Sequence, residues 1–186
     1  MLDDARGEEM AQRILKAREE ADSVGGVTET VICGTPAGVG EPWFDSVESV
    51  ISHAVFSLGG VKGIEFGAGF AAADMKGSEC NDPLRVSGGR IVTTTNNNGG
   101  INGGITNGMP IIFRCAVKPT PSIAQQQDTV DFIKNENTQL SIHGRHDPAI
   151  IRRICPVLDS VAALCVADML SLRYGTDVLT KGVDDR

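Results

Sequence analysis

Positive charge is scarce in this sequence: 17 Lys and Arg stand against 24 Asp and Glu in 186 residues, a formal net charge of −7. That balance argues against a general nucleic-acid or anionic-membrane binder, because both partners attract clustered positive charge. Any anionic ligand must then be met by a local site. Paired cysteines are missing as well. Cys33, Cys80, Cys115, Cys155 and Cys165 are odd in number and none forms a C-x-x-C pair, so neither a disulfide framework nor a zinc knuckle is expected and a reducing cytoplasm fits best. His53, His143 and His146 are not spaced as a metal set, and neither a G-x-S-x-G nucleophile signature nor a P-loop lysine occurs. The apolar run near the C-terminus is interrupted by Asp159 and Asp168, and the N-terminus "MLDDARGEEMAQRILKAREE" is charged. A soluble intracellular chain without a membrane span is the expectation.

What is present suffices for one domain with a real core, since 41% of the residues are hydrophobic. Met10, Ile14, Ala17 and Ala21 recur at helical spacing and predict an amphipathic helix up to about residue 23, or a loosely attached arm. "VTETVIC" reads as a strand and "GTPAGVGEP" as the loop after it. Val47, Val50, Ile51, Ala54, Val55 and Leu58 form a helical stripe, Asp45 and Glu48 have capping-box spacing, and Gly59 with Gly60 supplies the stop. Trp43 and Phe44 before it suit a hydrophobic staple, and His53 suits a packed helix residue.

"VKGIEFGAGFAAADM" predicts paired short strands around a Gly turn, residues 79–90 a mobile loop, and "RIVTTT" and "MPIIFRCAV" two further strands. "TVDFI", "KNEN" and "TQLSI" predict a hairpin turning near Asn135. The last long helix is expected to start with Asp147 as cap and Pro148 at its first position, to kink at Pro156, and to reach about Tyr174 buried on more than one side. The fold class is α+β, an antiparallel β-sheet packed on long α-helices. Residues 1–26 form an N-terminal helix or arm, 27–174 the domain, and 175–186 a tail.

Three stretches invite a chemical reading. In "NNNGGINGGITNG", residues 96–108, every position except Ile101, Ile105 and Thr106 is Asn or Gly. Such backbone makes an anion-binding concavity or admits a planar ligand, and equally makes a flexible loop or a bulged hairpin. "KPTPS", residues 118–122, sets a lysine and two hydroxyls on a stiffened extended backbone, suited to phosphate or to a plain connector. "HGRHDP", residues 143–148, gathers His143, Arg145, His146 and Asp147 at a helix start, where Asp147 serves as cap or as base.

In this order, "GGVTETVICGTPAGVGEPWFDSVESVISHAVFSLGGVKGIEFGAGF", the Asn/Gly stretch with "MPIIFRCAVKPTPSI", "Q-x-x-TVD" and "GRHDP" resemble the C-terminal half of chorismate synthase, from about residue 9 to about residue 174. The resemblance implies half of that family's β-α-β sandwich. It implies a lyase that uses reduced FMN to remove phosphate from 5-enolpyruvylshikimate 3-phosphate by 1,4-elimination, giving chorismate for aromatic biosynthesis. The flavin there is thought to lend an electron as phosphate leaves and to take the proton afterwards, so that the protein binds, orients and excludes water.

Carried over residue by residue, the flavin contacts fall on Gly59 and Gly60, Gly103, Lys118, Pro119, Thr120, Pro121 and Ser122, and Arg145. Asp147 falls on an aspartate proposed to assist proton movement at the flavin. Where the family often has Asn-Ala, this chain has Gly59-Gly60, which leaves backbone contacts only. The family's G-x-S-H-G-type and G-R-S-S-x-R-E-T segments, with two catalytic histidines and several substrate arginines, do not occur in this sequence. It is therefore expected either to be half of a chain about twice as long or a degenerate fragment, inactive alone. The family's homotetramer implies self-association. A flavin- or phosphate-binding module without catalysis and an oligomerisation module are the alternatives.

Overall fold

The computed structural model describes residues 3–144 and 146–182. In chain order its elements are α1 (Asp4–Glu19), β1 (Gly26–Ile32), α2 (Val47–Phe56), β2 (Val61–Phe66), α3 (Gly77–Cys80), β3 (Leu84–Ser87), β4 (Arg90–Thr93), β5 (Ile101–Asn102), β6 (Ile105–Thr106), β7 (Ile111–Val117), β8 (Gln127–Asp131), β9 (Glu136–Leu140), α4 (Ile151–Tyr174) and α5 (Val178–Lys181). They fall into two compact units, Met1–Gly26 with Val117–Ile154 and Val27–Ala116 with Cys155–Arg186. We call these the hairpin unit and the sheet unit.

The sheet unit is built on three strands in the order β1, β7, β2. β7 alternates strictly, burying Ile111, Phe113, Cys115 and Val117, and β1 buries Thr28 and Thr30 on the same period of two. α2 lays Val47, Ile51 and Val55, all fully buried, into this core. Its cap is Ser46, whose hydroxyl accepts the Ser49 amide at 3.1 Å, one residue later than the Asp45 expected. The 3-10 turn Trp43–Asp45 occupies the position where Asp45 would have capped. Trp43 and Phe44 form no staple: they are 84% and 83% exposed and meet edge to face.

α4 contributes one buried stripe, Ile154, Leu158, Ala162, Cys165, Val166 and Met169, rather than the several buried sides expected. Leu164 stays exposed on another side of the helix, and Leu172 is exposed near its C-terminal end. By length and composition α4 is apolar enough to cross a membrane, although Asp159 and Asp168 interrupt it. Asp159 is used in the fold, accepting the Thr30 hydroxyl of β1 at 3.2 Å. The helix starts at Ile151, not at Pro148, and contains Pro156.

Two further expectations fail in this unit. After β2 the chain enters a 3-10 turn, Gly69–Asp74, instead of a second strand. The cause is Glu65, whose carboxylate accepts the Phe70 amide at 3.0 Å and pairs with Arg114 at 2.9 Å, closing the turn from outside. Residues 79–90 are ordered rather than a mobile loop. They hold the end of α3 and the antiparallel β3–β4 hairpin, in which Leu84 pairs with Thr93 and Ser87 with Arg90.

In the hairpin unit, α1 is capped by Asp3, which accepts the Arg6 amide at 3.2 Å, and buries only Ala17. It stops at Glu19, short of residue 23. Ala21 turns left-handed at φ 54°, and the Ala21 and Asp22 amides fold back onto the Arg18 and Ala17 carbonyls, a Schellman closure. The β8–β9 hairpin is antiparallel from Gln127↔Leu140 to Asp131↔Glu136, and Asn135 takes the left-handed turn position as expected.

Candidate functional site

Residues 96–108 contain the β5–β6 hairpin and are tied to neighbouring backbone by hydrogen bonds. The Asp82 carboxylate receives four hydrogen bonds there, from the Thr95 hydroxyl and Asn97 amide at 2.7 Å and from the Asn98 amide and side chain at 2.9 and 2.8 Å. Burial alone would raise the Asp82 pKa, but these bonds to the ionised form outweigh it and hold the group below the usual carboxylate value. Asn96 ties the turn across, donating to the Pro110 carbonyl and accepting the Gly100 amide, each at 2.8 Å.

The glycines answer a packing requirement. A Cβ on Gly99 would stand 2.5 Å from the Gly67 nitrogen, because the backbones at 67 and 99 nearly touch, and Gly99 has φ 61°. Gly103 and Gly104 make the two-residue turn between β5 and β6, both left-handed. Thr106 then stitches the hairpin to the loop before α2: its hydroxyl donates to Pro36 at 2.6 Å and accepts the Val39 amide at 2.9 Å. Of the turn pair, Gly103 alone has open space where its side chain would be.

The expected flavin contacts in this unit are not gathered at one point. Gly104, next to Gly103, accepts the Val47 amide at the start of α2, whereas Gly59 and Gly60 follow the end of α2. A helix of 10 residues puts about 15 Å between its ends. His53 does not pack into the core. It is exposed, on a shallow groove with Phe44, Asp45, Ser49, Leu164 and Asp168. Cys115 and Cys165 are no nucleophiles: burial raises the Cys115 thiol to about 11, and burial together with Asp168 raises that of Cys165.

In the hairpin unit the two charged motifs are held by one short segment. The Ser23 hydroxyl donates to the Thr120 carbonyl at 2.6 Å, the Val24 amide donates to the Pro148 carbonyl at 2.8 Å, and a side chain on Gly25 would overlap the Val117 carbonyl oxygen. Residues 23–25 therefore lie against both "KPTPS" and "HDP". Lys118 is exposed, and the Thr120 hydroxyl is buried with no hydrogen-bond partner among the described residues. Pro119, Pro121 and Ser122 complete the strip.

His146 Nε2 meets the Ile142 carbonyl at 2.8 Å. Asp147 is not the helix cap. Among the described residues its Oδ1 reaches only the Ala149 amide, at 3.4 Å, while its buried Oδ2 lies 3.1 Å from Arg153 Nε. Arg145 lies outside the described residues. Asp82, Glu65, Arg114 and Arg153 escape sequence reasoning, since none stands in a motif and most of their partners lie far along the chain. Among the described residues no group of three or more His, Cys, Asp and Glu could hold a metal ion.

A family model for chorismate synthase matches residues 1–171. A chorismate synthase of Methanosarcina acetivorans is 51% identical over 168 residues, 90% of this chain and 46% of that protein. One from Chitinophaga pinensis is 52% identical over 160 residues, covering 86% and 48%. A crystal structure of chorismate synthase superposes with a TM-score of 0.73 at 31% identity over 91% of this chain and 44% of the other. The chain spans about half the length of the curated relatives it matches.

Proposed function

The chain belongs to the chorismate synthase family, and from that premise we propose that it is the flavin-binding half of an enzyme that removes phosphate and a ring proton from 5-enolpyruvylshikimate 3-phosphate. The reaction breaks one C–O and one C–H bond and forms a C=C bond, giving chorismate and phosphate with no net redox change. The observation that carries the reading is the pairing of "KPTPS" with "HDP" across residues 23–25, which puts an exposed ammonium, an unpartnered hydroxyl and a half-buried carboxylate in one unit.

Those residues fit FMN. The buried Thr120 hydroxyl lacks a partner, and a phosphate oxygen would supply one, with Lys118 providing the charge. In this reading Lys118 to Ser122 and Arg145 would hold the cofactor, and Asp147 would hold or pass a proton. Bound reduced FMN would supply an electron to the substrate as phosphate leaves and a destination for the proton. The chain alone, without the family's histidine and arginine segments, does not turn over, because positioning and proton transfer supply many powers of ten in rate.

The test combines two measurements. Titration of the purified chain with FMN should show binding, and chorismate should form only when the half present in its relatives is supplied. Chorismate formation by the chain alone, or assembly with that half without activity, would overturn the reading. In the assembled enzyme Asp147→Asn should lower turnover by about 10²-fold at unchanged FMN affinity.

A second reading, a cytoplasmic assembly module without catalysis, is favoured by exposed Trp43, Phe44, Leu164 and Leu172, apolar area that a monomer seldom leaves uncovered. Oligomers in light scattering together with no FMN binding would select it.

A further inference from the structure

We propose that Arg153 is the positioning residue for the Asp147 carboxylate, a role that rests on the reading of Asp147 as the group that handles the proton. The residue after Asp147 is Pro148, so the nearest following backbone position carries no N–H to hold the carboxylate. The next one, Ala149, reaches Oδ1 only at 3.4 Å, beyond the usual range for a hydrogen bond of this kind. α4 begins at Ile151, too late for Asp147 to be fixed as its cap. Among the described residues one close contact remains: Oδ2, shielded from solvent, lies 3.1 Å from Arg153 Nε.

The geometry of that contact suits orientation more than stability. The Asp147 side chain is 26% exposed and that of Arg153 80%, and a pair with one partner in solvent adds little to folding. The Nε–H does not align along the contact, so the pair acts through charge rather than as a hydrogen bond. The backbone is held independently, by the Val24 amide on the Pro148 carbonyl and by His146 on the Ile142 carbonyl. Removing the guanidinium therefore releases the Asp147 side chain while the backbone beneath it stays in place. Arg153 comes from the first turn of α4, so the helix itself carries the group that aims the carboxylate.

The test is made first on the purified chain, by NMR side-chain couplings that report the χ1 rotamer of Asp147. The wild-type chain should show one rotamer, Arg153→Met an average over rotamers, and Arg153→Lys an intermediate population, with melting temperatures within about 2 °C of one another. A single unchanged rotamer in Arg153→Met overturns the proposal. Should Arg153→Met fold poorly, Arg153→Gln gives the same comparison. In the enzyme assembled with the half present in its relatives, Arg153→Met should lower kcat about tenfold with KM within twofold, and Arg153→Lys should recover part of the loss. A raised KM with unchanged kcat would make Arg153 a substrate-binding residue and overturn the proposal. Loss of kcat in Arg153→Met with none in Asp147→Asn would remove Asp147 from proton handling, whereas the rotamer measurement judges Arg153 separately.

Discussion

Residues 96–108 in the sheet unit are held by their own backbone, with glycines at the close approaches and the ionised Asp82 gathering four donors. Residues 118–122 and 146–153 in the hairpin unit are tied by two hydrogen bonds to residues 23 and 24 and carry an exposed lysine, a spare hydroxyl and an exposed arginine. The first segment spends its polar groups and close approaches on its own fold, whereas the second leaves an exposed lysine and an unpartnered hydroxyl among the described residues. Glycine content alone is thus a poor guide to a ligand site, because closely packed backbone and a ligand cradle call for the same residue.

The strongest way to break this comparison is Gly99→Ala. The new Cβ would press on the Gly67 backbone in a left-handed conformation, so we expect a loss of about 3 kcal/mol or more, roughly 10 °C in melting temperature. Near-wild-type stability would show that the segment yields, as a flexible loop would.

Asp82→Ala comes next, at about 2 kcal/mol, since it strips partners from two backbone amides and two side chains. Its pH dependence sharpens the point. The folded pKa is below the ordinary 3.8, so the stabilisation is fully present above that value and is lost as the pH falls through the lowered one. Urea denaturation of wild type and Asp82→Asn should differ at pH 7 and converge toward pH 3.

Gly103→Ala should cost only about 1 kcal/mol, the strain of φ 61° with no clash. Smallest of all, Asp147→Asn should change stability by less than about 0.5 kcal/mol by thermal denaturation, because its partner Arg153 is mostly in solvent. A large loss there would make the charged segment structural and erase the contrast.

Much of the fold was legible from local pattern. The Val47, Ile51 and Val55 stripe, the strand at residues 111–117 and the turn at Asn135 all follow from local pattern and turn chemistry. The errors have causes in neighbouring turns and in partners along the chain. Ser46 caps α2 because a 3-10 turn occupies Asp45, and residues 69–74 curl instead of pairing because Glu65 and Arg114 close them.

The order of the motifs was enough to identify the family, since each motif is a short contiguous string. Helical and strand character came with it, because periods of 3.6 and 2 are properties of neighbouring residues. Only the tertiary structure decided that Asp82 is the anchor of a segment 13 to 16 residues away, that Gly99 is required by Gly67, and that Arg153 rather than a helix start meets Asp147. These contacts depend on which backbones approach within a few ångströms after folding, and that proximity has no signature in local sequence.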